Sequence, residues 1–384
     1  MAASPKKPMT GAERCLAVLR GELPDRVPVS TYELVGWDST AWENREPSYA
    51  RLMEAVRRDT DCLYRWGPDW PKRGLGYFLT ATEEVRADKQ VRQEGTDEKT
   101  LHTVHTPKGD LTCRTSVRQG IHTTWTEEHF VKTGEDIERV LSIPYVRQGP
   151  PDVSDLARAQ RELGDRGIIL ADVSDAICQV APLFDFGEFT VWALTERRTV
   201  RRLLDYFHER IMDRLKMQLE AGVGPLWRLV GAEYATPPYL PPELFAEYVV
   251  PYDREMTELI HRHGGWARIH CHGKIANVVE HLLAIGADSL DPVEPPPQGD
   301  IEFAEAKRRL GERMTLMGNL ELAMLETATV EEVRAEVRKT MQAGKPGGRF
   351  VLMPTAAPID VPLNKRTEEN YLAFMETAKE LGEY

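Results

Sequence analysis

The sequence predicts an α/β chain folded as a single (β/α)8 (TIM) barrel, with an antiparallel β excursion after the second strand. Three observations lead there. From residue 133 onward, short apolar runs alternate with helical stretches, and such alternation implies a parallel sheet. Six runs of this kind, at 167–172, 226–231, 266–270, 288–292, 315–319 and 349–353, join two earlier ones at 26–33 and 61–66, which makes eight. No G-x-G-x-x-G or G-x-x-x-x-G-K-[ST] segment is present, which disfavours the competing architecture, an open nucleotide-binding sheet with a cap.

Each element has a local reason. Residues 1–10 read as a disordered lead, and 11–384 as the barrel. Thr10 followed three residues later by Glu13 has capping-box spacing and opens a helix to about Arg20, which Gly21 and Pro24 stop. Further helices are expected near 47–58, 174–183, 197–221, 242–263, 274–285, 301–310, 330–343 and 367–382. Residues 79–131 break the rhythm with alternating Val, Thr and aromatic residues. Thr106-Pro-Lys-Gly-Asp110 sits between two such runs, and Pro followed by Gly is a hairpin signal. This stretch is expected as an inserted β-rich excursion, since it is too polar to hold a core alone.

Composition removes several classes of function. Lys plus Arg number 49 against 61 Asp plus Glu, a net charge of -12, so the basic footprint of a nucleic-acid or anionic-membrane binder is missing. No run of eighteen apolar residues suggests a membrane span. The N-terminus lacks the apolar core of a signal peptide. The five cysteines are dispersed, odd in number and form no C-x-x-C pair, which excludes a disulfide framework or zinc ribbon and points to a reducing, cytoplasmic compartment.

A barrel of this type carries its chemistry at the C-terminal ends of its strands. The residues falling there are Tyr32, Glu33 and Trp37, then Trp66, Asp172, Glu233, His270 to His272, Asp291 with Glu294, Asn319, and Pro354-Thr355. The densest feature is Ala267-Arg-Ile-His-Cys-His-Gly-Lys274. Strand alternation puts Arg268, His270 and His272 on one face and Cys271 on the other. Two imidazoles at i and i+2 can reach one divalent ion, and zinc suits them; the plainer alternative is hydrogen bonding within a polar barrel mouth. Glu233 is the nearest third ligand in barrel order, and equally a general base or an ion-pair partner. Asp172 or Asp291 could serve as acid–base partners, and Glu33 and Asn319 could contact substrate. Aromatic residues are dense between Tyr32 and Phe78; most read as core, with Trp37 and Trp66 as candidates for walling an apolar substrate.

Several segments carry a family resemblance. Met9 to Val29, with its Glu13-Arg14 and Pro24-Asp-Arg-Val-Pro-Val29, resembles the opening of the uroporphyrinogen decarboxylase superfamily. The likeness continues through His270-Cys-His-Gly273, Gly318-Asn319, Gly347 to Pro354 and Glu368-Glu-Asn-Tyr371. It implies a (β/α)8 barrel and either a decarboxylase or a zinc-dependent, cobamide-linked methyltransferase, often dimeric. Decarboxylases of this family carry two carboxylate-holding arginines soon after the first-strand Pro-Val. A gapless alignment on Pro28-Val29 puts Glu33 and Trp37 there, and a carboxylate would repel a polyanionic substrate. The methyltransferase branch holds zinc with H-x-C and a later Cys. Here His270 matches, His272 replaces the Cys, and Pro354-Thr-Ala-Ala-Pro358 has no cysteine.

The expectation is a metal-dependent methyltransferase that moves a methyl group between a small methoxy, methylamine or thiol compound and methylcobamide on a separate corrinoid protein. In that reading Zn2+ sits on His270 and His272 with Glu233. The alternatives are a cofactor-free decarboxylase and a catalytically silent barrel that binds a tetrapyrrole or corrinoid protein.

Overall fold

The computed structural model describes residues 8–70, 76–119, 121 and 123–384. The expected 1–10 lead therefore falls, for residues 1–7, outside the described residues. Helix α1, Gly11–Arg20, begins where the capping box puts it: Thr10 and Glu13 each accept the other's backbone N–H, and Gly21 closes the helix at φ 77°.

Of the two early strands, one forms. β1 is Cys62–Trp66, preceded by α2, Ala50–Asp59. The 26–33 run makes no regular strand among the described residues. It forms a parallel bridge from Val29 to Leu352; Pro28 O and Ser30 N exchange bonds with Leu352, and Val29 O accepts from Asp61 N. Pro28 has no N–H to extend a ladder, and Tyr32 turns the chain away at φ 61°.

The excursion is a four-stranded antiparallel sheet: β2 Arg86–Glu94, β3 Asp97–Thr106, β4 Gly109–Arg118 and β5 Trp125–Glu128. The β3–β4 turn is the expected Pro-Lys step, with Thr106 opposite Gly109. Bridges from Ile121 to Asp360 and from Val131 to Phe184 tie this part of the chain to the main body.

Beyond it, α3 Gly134–Leu141 and α4 Leu156–Leu163 lead into β6 Gly167–Ser174. There follow α5 Ala176–Val180, α6 Phe186–Thr195, α7 Arg197–Glu220 and β7 Leu226–Val230; then α8 Pro242–Tyr248, α9 Val250–Arg262, β8 Trp266–Cys271, α10 Val279–Ile285 and β9 Ser289–Pro292. The chain ends with α11 Phe303–Leu310, β10 Thr315–Leu320, α12 Leu322–Thr327, α13 Val330–Gly344, β11 Phe350–Pro354 and α14 Lys365–Leu381. The expected 242–263 helix is two helices. Pro251 lies in the first turn of the second, where its missing N–H is tolerated.

β1 and β6 to β11 form one curled sheet in chain order, with every neighbouring pair parallel. Its two faces bury different cores. Leu63, Leu170, Leu226, Met317, Val351 and Met353 point inward and pack on Cys15, Val18 and Leu19 of α1, which plugs the N-terminal end. Tyr64, Ala171, Trp227, Ile269, Leu290 and Leu352 point outward into the core shared with the helices. At the plugged end Asp61, 1% exposed, accepts from Arg14, Arg26 and the backbone N of Val29. Arg14 and Asp25 also pair at 2.6 Å. The Arg14, Asp25 and Arg26 of the opening segment thus fasten it to the start of β1.

Candidate active site

Above the apolar inner layer, at the C-terminal ends of the strands, the inward positions become polar. Arg65 on β1, Asp172 on β6, Arg228 on β7, Arg268 and His270 on β8 and Asp291 on β9 follow from the same period-two alternation. They make two linked groups. In one, Arg228 binds Asp172 through two bonds of 2.7 and 2.8 Å and reaches Glu33 at 2.9 Å. Arg65 binds the same carboxylates, Asp172 at 2.5 Å and Glu33 at 2.9 Å. Two guanidinium groups and two carboxylates balance.

In the other group, Asp291, fully buried, accepts from both the Nε and Nη2 of Arg268 and from His270 Nδ1 at 2.9 Å. Tyr32 joins the groups. Its hydroxyl lies 3.3 Å from His270 Nε2, and its ring lies under the Arg228 guanidinium at 5.4 Å.

His272 continues the face. Its Nδ1 is 2.6 Å from Glu294, whose other oxygen takes the backbone N–H of Gly273 at 2.6 Å. The two imidazoles stand edge to face, 4.6 Å between centroids. Each has a carboxylate at Nδ1, which fixes the Nδ1–H form and leaves Nε2 as the outward nitrogen. Burial opposes a charge on His272, but the Glu294 hydrogen bond and charge outweigh it, so its pKa is raised.

Asp172 and Asp291, the expected acid–base partners, are both paired with arginines. Burial alone would raise both pKa values, but Arg228 and Arg65 hold Asp172 below the usual range, and Arg268 with His270 hold Asp291 far below it. Such carboxylates keep no proton to give near neutrality. Glu321, which the residue-type search passed over, does. It follows β10 directly, two residues after Asn319, and is half-buried. Its Oε1 has no hydrogen-bond partner, and Oε2 accepts from Thr355 at 3.4 Å. Burial, then the Glu294 charge, push its pKa up to about 7. The strand-end rule that singled out Asn319 would have reached it two residues later.

This shift has a sign in stability. The folded protein holds the Glu321 proton up to about pH 7, whereas the unfolded chain releases it near 4.5. The contribution is therefore present below pH 4.5 and lost as pH rises through 7. Glu321→Gln should remove that slope, leaving the variant more stable than wild type above pH 7 by on the order of 1 kcal/mol after solvent screening. Urea titrations at pH 4.5 and 8 check it; equal slopes in both proteins refute it.

Other sequence candidates lie elsewhere. Trp66 faces outward into the helix-side core, on the opposite face from Arg65. Trp37 lies against the guanidinium of Arg166 at 5.8 Å; Arg166 precedes β6, roughly 20 Å of strand from Asp172. Neither walls the site. Tyr77, Phe78 and Phe130, mutually 5.3 to 5.7 Å apart, line a separate cavity of about 510 Å³ against the excursion. Asn319 turns to the helices, accepting from Thr340 on α13 at 3.0 Å.

Glu233 follows β7, with its Oε2 buried and unpartnered. Asp175 and Asp253 lie near it electrostatically, and burial followed by neighbouring carboxylates pushes both far above the carboxylate range. Glu33 does stand at the mouth, but Arg65 and Arg228 neutralise it, so the repulsion expected of it is cancelled.

For zinc, the donor chemistry fits at two positions, His270 Nε2 and His272 Nε2. No set of three or more His, Cys, Asp or Glu side chains is assembled to hold a metal ion among the described residues. All five cysteines are free, and no described helix is long and apolar enough to cross a membrane.

Comparison with known proteins agrees with this architecture. A methyltransferase from Methanosarcina mazei superposes with a TM-score of 0.60 over 97% of this chain and 99% of its own, at 15% identity. At that identity the likeness speaks for the fold. A uroporphyrinogen decarboxylase from Pseudoalteromonas translucida is 27% identical over 157 residues, which are 41% of this chain and 42% of that protein. The family model described as Uroporphyrinogen decarboxylase (URO-D) matches residues 127–381, from the end of the excursion through the last helix. With well over half of its length matched, the chain belongs to the uroporphyrinogen decarboxylase family.

Proposed function

We propose that this chain catalyses methyl transfer between a small methoxy, methylamine or thiol compound and methylcobamide carried by a separate corrinoid protein. The barrel in this reading has eight staves, Pro28–Ser30 supplying the first. The observation that carries the reading is the pair His270 and His272, each backed by a carboxylate at Nδ1, His270 Nε2 facing the Tyr32 hydroxyl, with Glu321 in electrostatic reach of His272. A heteroatom losing a methyl group gains a lone pair and must be protonated. Glu321 supplies that proton, and takes it back in the reverse direction, because its pKa lies near the working pH. The imidazole edges orient the heteroatom, and Asp291 and Glu294 keep both rings in one tautomer. A zinc ion, when bound, would be held by His270 and His272 and would lower the pKa of a bound thiol or hydroxyl.

The test is a methyl-transfer assay with purified protein, cob(I)alamin and a panel of methyl ethers, methylamines and methyl thioethers. Methylcobalamin should appear with at least one donor. After zinc loading, wild type should retain one ion per chain and His272→Ala none. Failure with every donor, with or without zinc, defeats the proposal.

The second reading is cofactor-free decarboxylation, which the match to a uroporphyrinogen decarboxylase favours. There Glu321 or His272 would protonate the carbon left behind. Carbon dioxide release from a porphyrinogen decides for it.

A further inference from the structure

We propose that Arg214 forms a subsite for the carboxylate of the substrate, in a cavity that Asp172 and Ser174 of β6 also line. The proposal deepens the reading above by naming the substrate's chemical class.

Arg214 lies on α7, with Gln218 one turn further on the same face. Its guanidinium lies over the Trp70 ring at 4.2 Å, and its Nε donates to the buried Gln148. No carboxylate stands within salt-bridge distance of it among the described residues, and none of the residues outside that set is Asp or Glu. Both Nη groups are therefore left without an ionic partner. Burial pulls the pKa down to about 10, against a smaller opposing effect of Tyr145. Nearby Arg210 differs: it also has no carboxylate, but it lies 3.4 Å from the Tyr206 ring and donates to the carbonyls of Tyr206 and Ile143, so its bonds are used within the fold.

The Arg214 side chain opens on a cavity of about 210 Å³ that Trp70, Asp172, Ser174, Gln179 and Gln218 also line. Asp172 adds no free negative charge there, since Arg228 and Arg65 neutralise it. The cavity therefore carries one uncompensated positive charge, with amide and hydroxyl donors around it. A planar guanidinium edge matches a planar carboxylate through two parallel bonds. A single positive charge balances a carboxylate better than a phosphate dianion.

Calorimetric titration of the full chain at constant ionic strength tests this with benzoate, its neutral isostere benzamide, and inorganic phosphate. Wild type should bind benzoate at least tenfold more tightly than benzamide. Arg214→Gln should weaken benzoate at least tenfold, and Arg214→Lys, which keeps the charge without the fork, should fall between. If Arg214→Gln does not fold, the Lys variant carries the comparison, because loss of the paired geometry should still weaken benzoate. Absence of benzoate binding by wild type, equal binding by the folded variants, or tighter binding of phosphate than benzoate would overturn the proposal. None of these readouts needs a methyl donor, so failure of the subsite and failure of the methyl-transfer reading are distinguishable.

Discussion

Asp291→Leu should shift urea unfolding to much lower concentration, with a loss of about 3–5 kcal/mol, the cost of leaving one partner of a buried ion pair uncompensated. Arg268 is 1% exposed and Asp291 0%, so water cannot stand in for the lost carboxylate. The same change removes the acceptor at His270 Nδ1. The double variant Arg268→Met with Asp291→Leu should recover most of the loss, because an apolar pair of similar volume is often neutral where a broken pair is not. A loss below about 1 kcal/mol in the single variant, or no recovery in the double, would show that the pair does not hold this end of the sheet together.

His272→Ala is the complementary case, with a large effect on rate and a small one on folding. Its side chain is 34% exposed, so truncation empties little of the core. In the methyl-transfer assay it should lower kcat by about 10²- to 10⁴-fold, the range of a positioned acid–base or orienting group. Its urea midpoint should stay near that of wild type. His270→Ala should lower the rate similarly but also destabilise the protein, because His270 is buried against Asp291 and Tyr32. A His272→Ala protein that keeps more than a tenth of the wild-type rate would remove the imidazole pair from the mechanism.

Much of this arrangement was legible in the order of residues. Seven of the eight expected strands form close to their expected bounds, because each is an apolar run long enough to be buried on both faces. The eighth failed locally: Pro28 interrupts the ladder and Tyr32 leaves the extended region, so the run keeps its place through single bonds. Helix α6 was missed because Phe186–Thr195 is rich in aromatic and β-branched residues; the cap from Asp185 to the Gly187 N–H starts it. In the site, strand alternation put Arg268, His270 and His272 on one face correctly. It could not say who would neutralise whom. Asp172 and Asp291 look like acid–base groups in a list of residue types, and only their partners across the strands, arginines and for Asp291 also His270, show that both carboxyls are held below the usual range. Trp66 shows the same limit: parity with Tyr64 puts it outside, although it stands at a strand end.

The clasp of Arg14 and Arg26 on Asp61 lies at the opposite end of the strands from the imidazoles. Holding the opening segment and reacting with substrate are therefore separate tasks on separate surfaces. A chain built this way can exchange the groups at its mouth without disturbing the bonds that join its first segment to its first strand. The opening segment is thus silent about chemistry. Any fragment that begins after Arg26 would leave Asp61 charged and buried without its arginine partners, and should not fold.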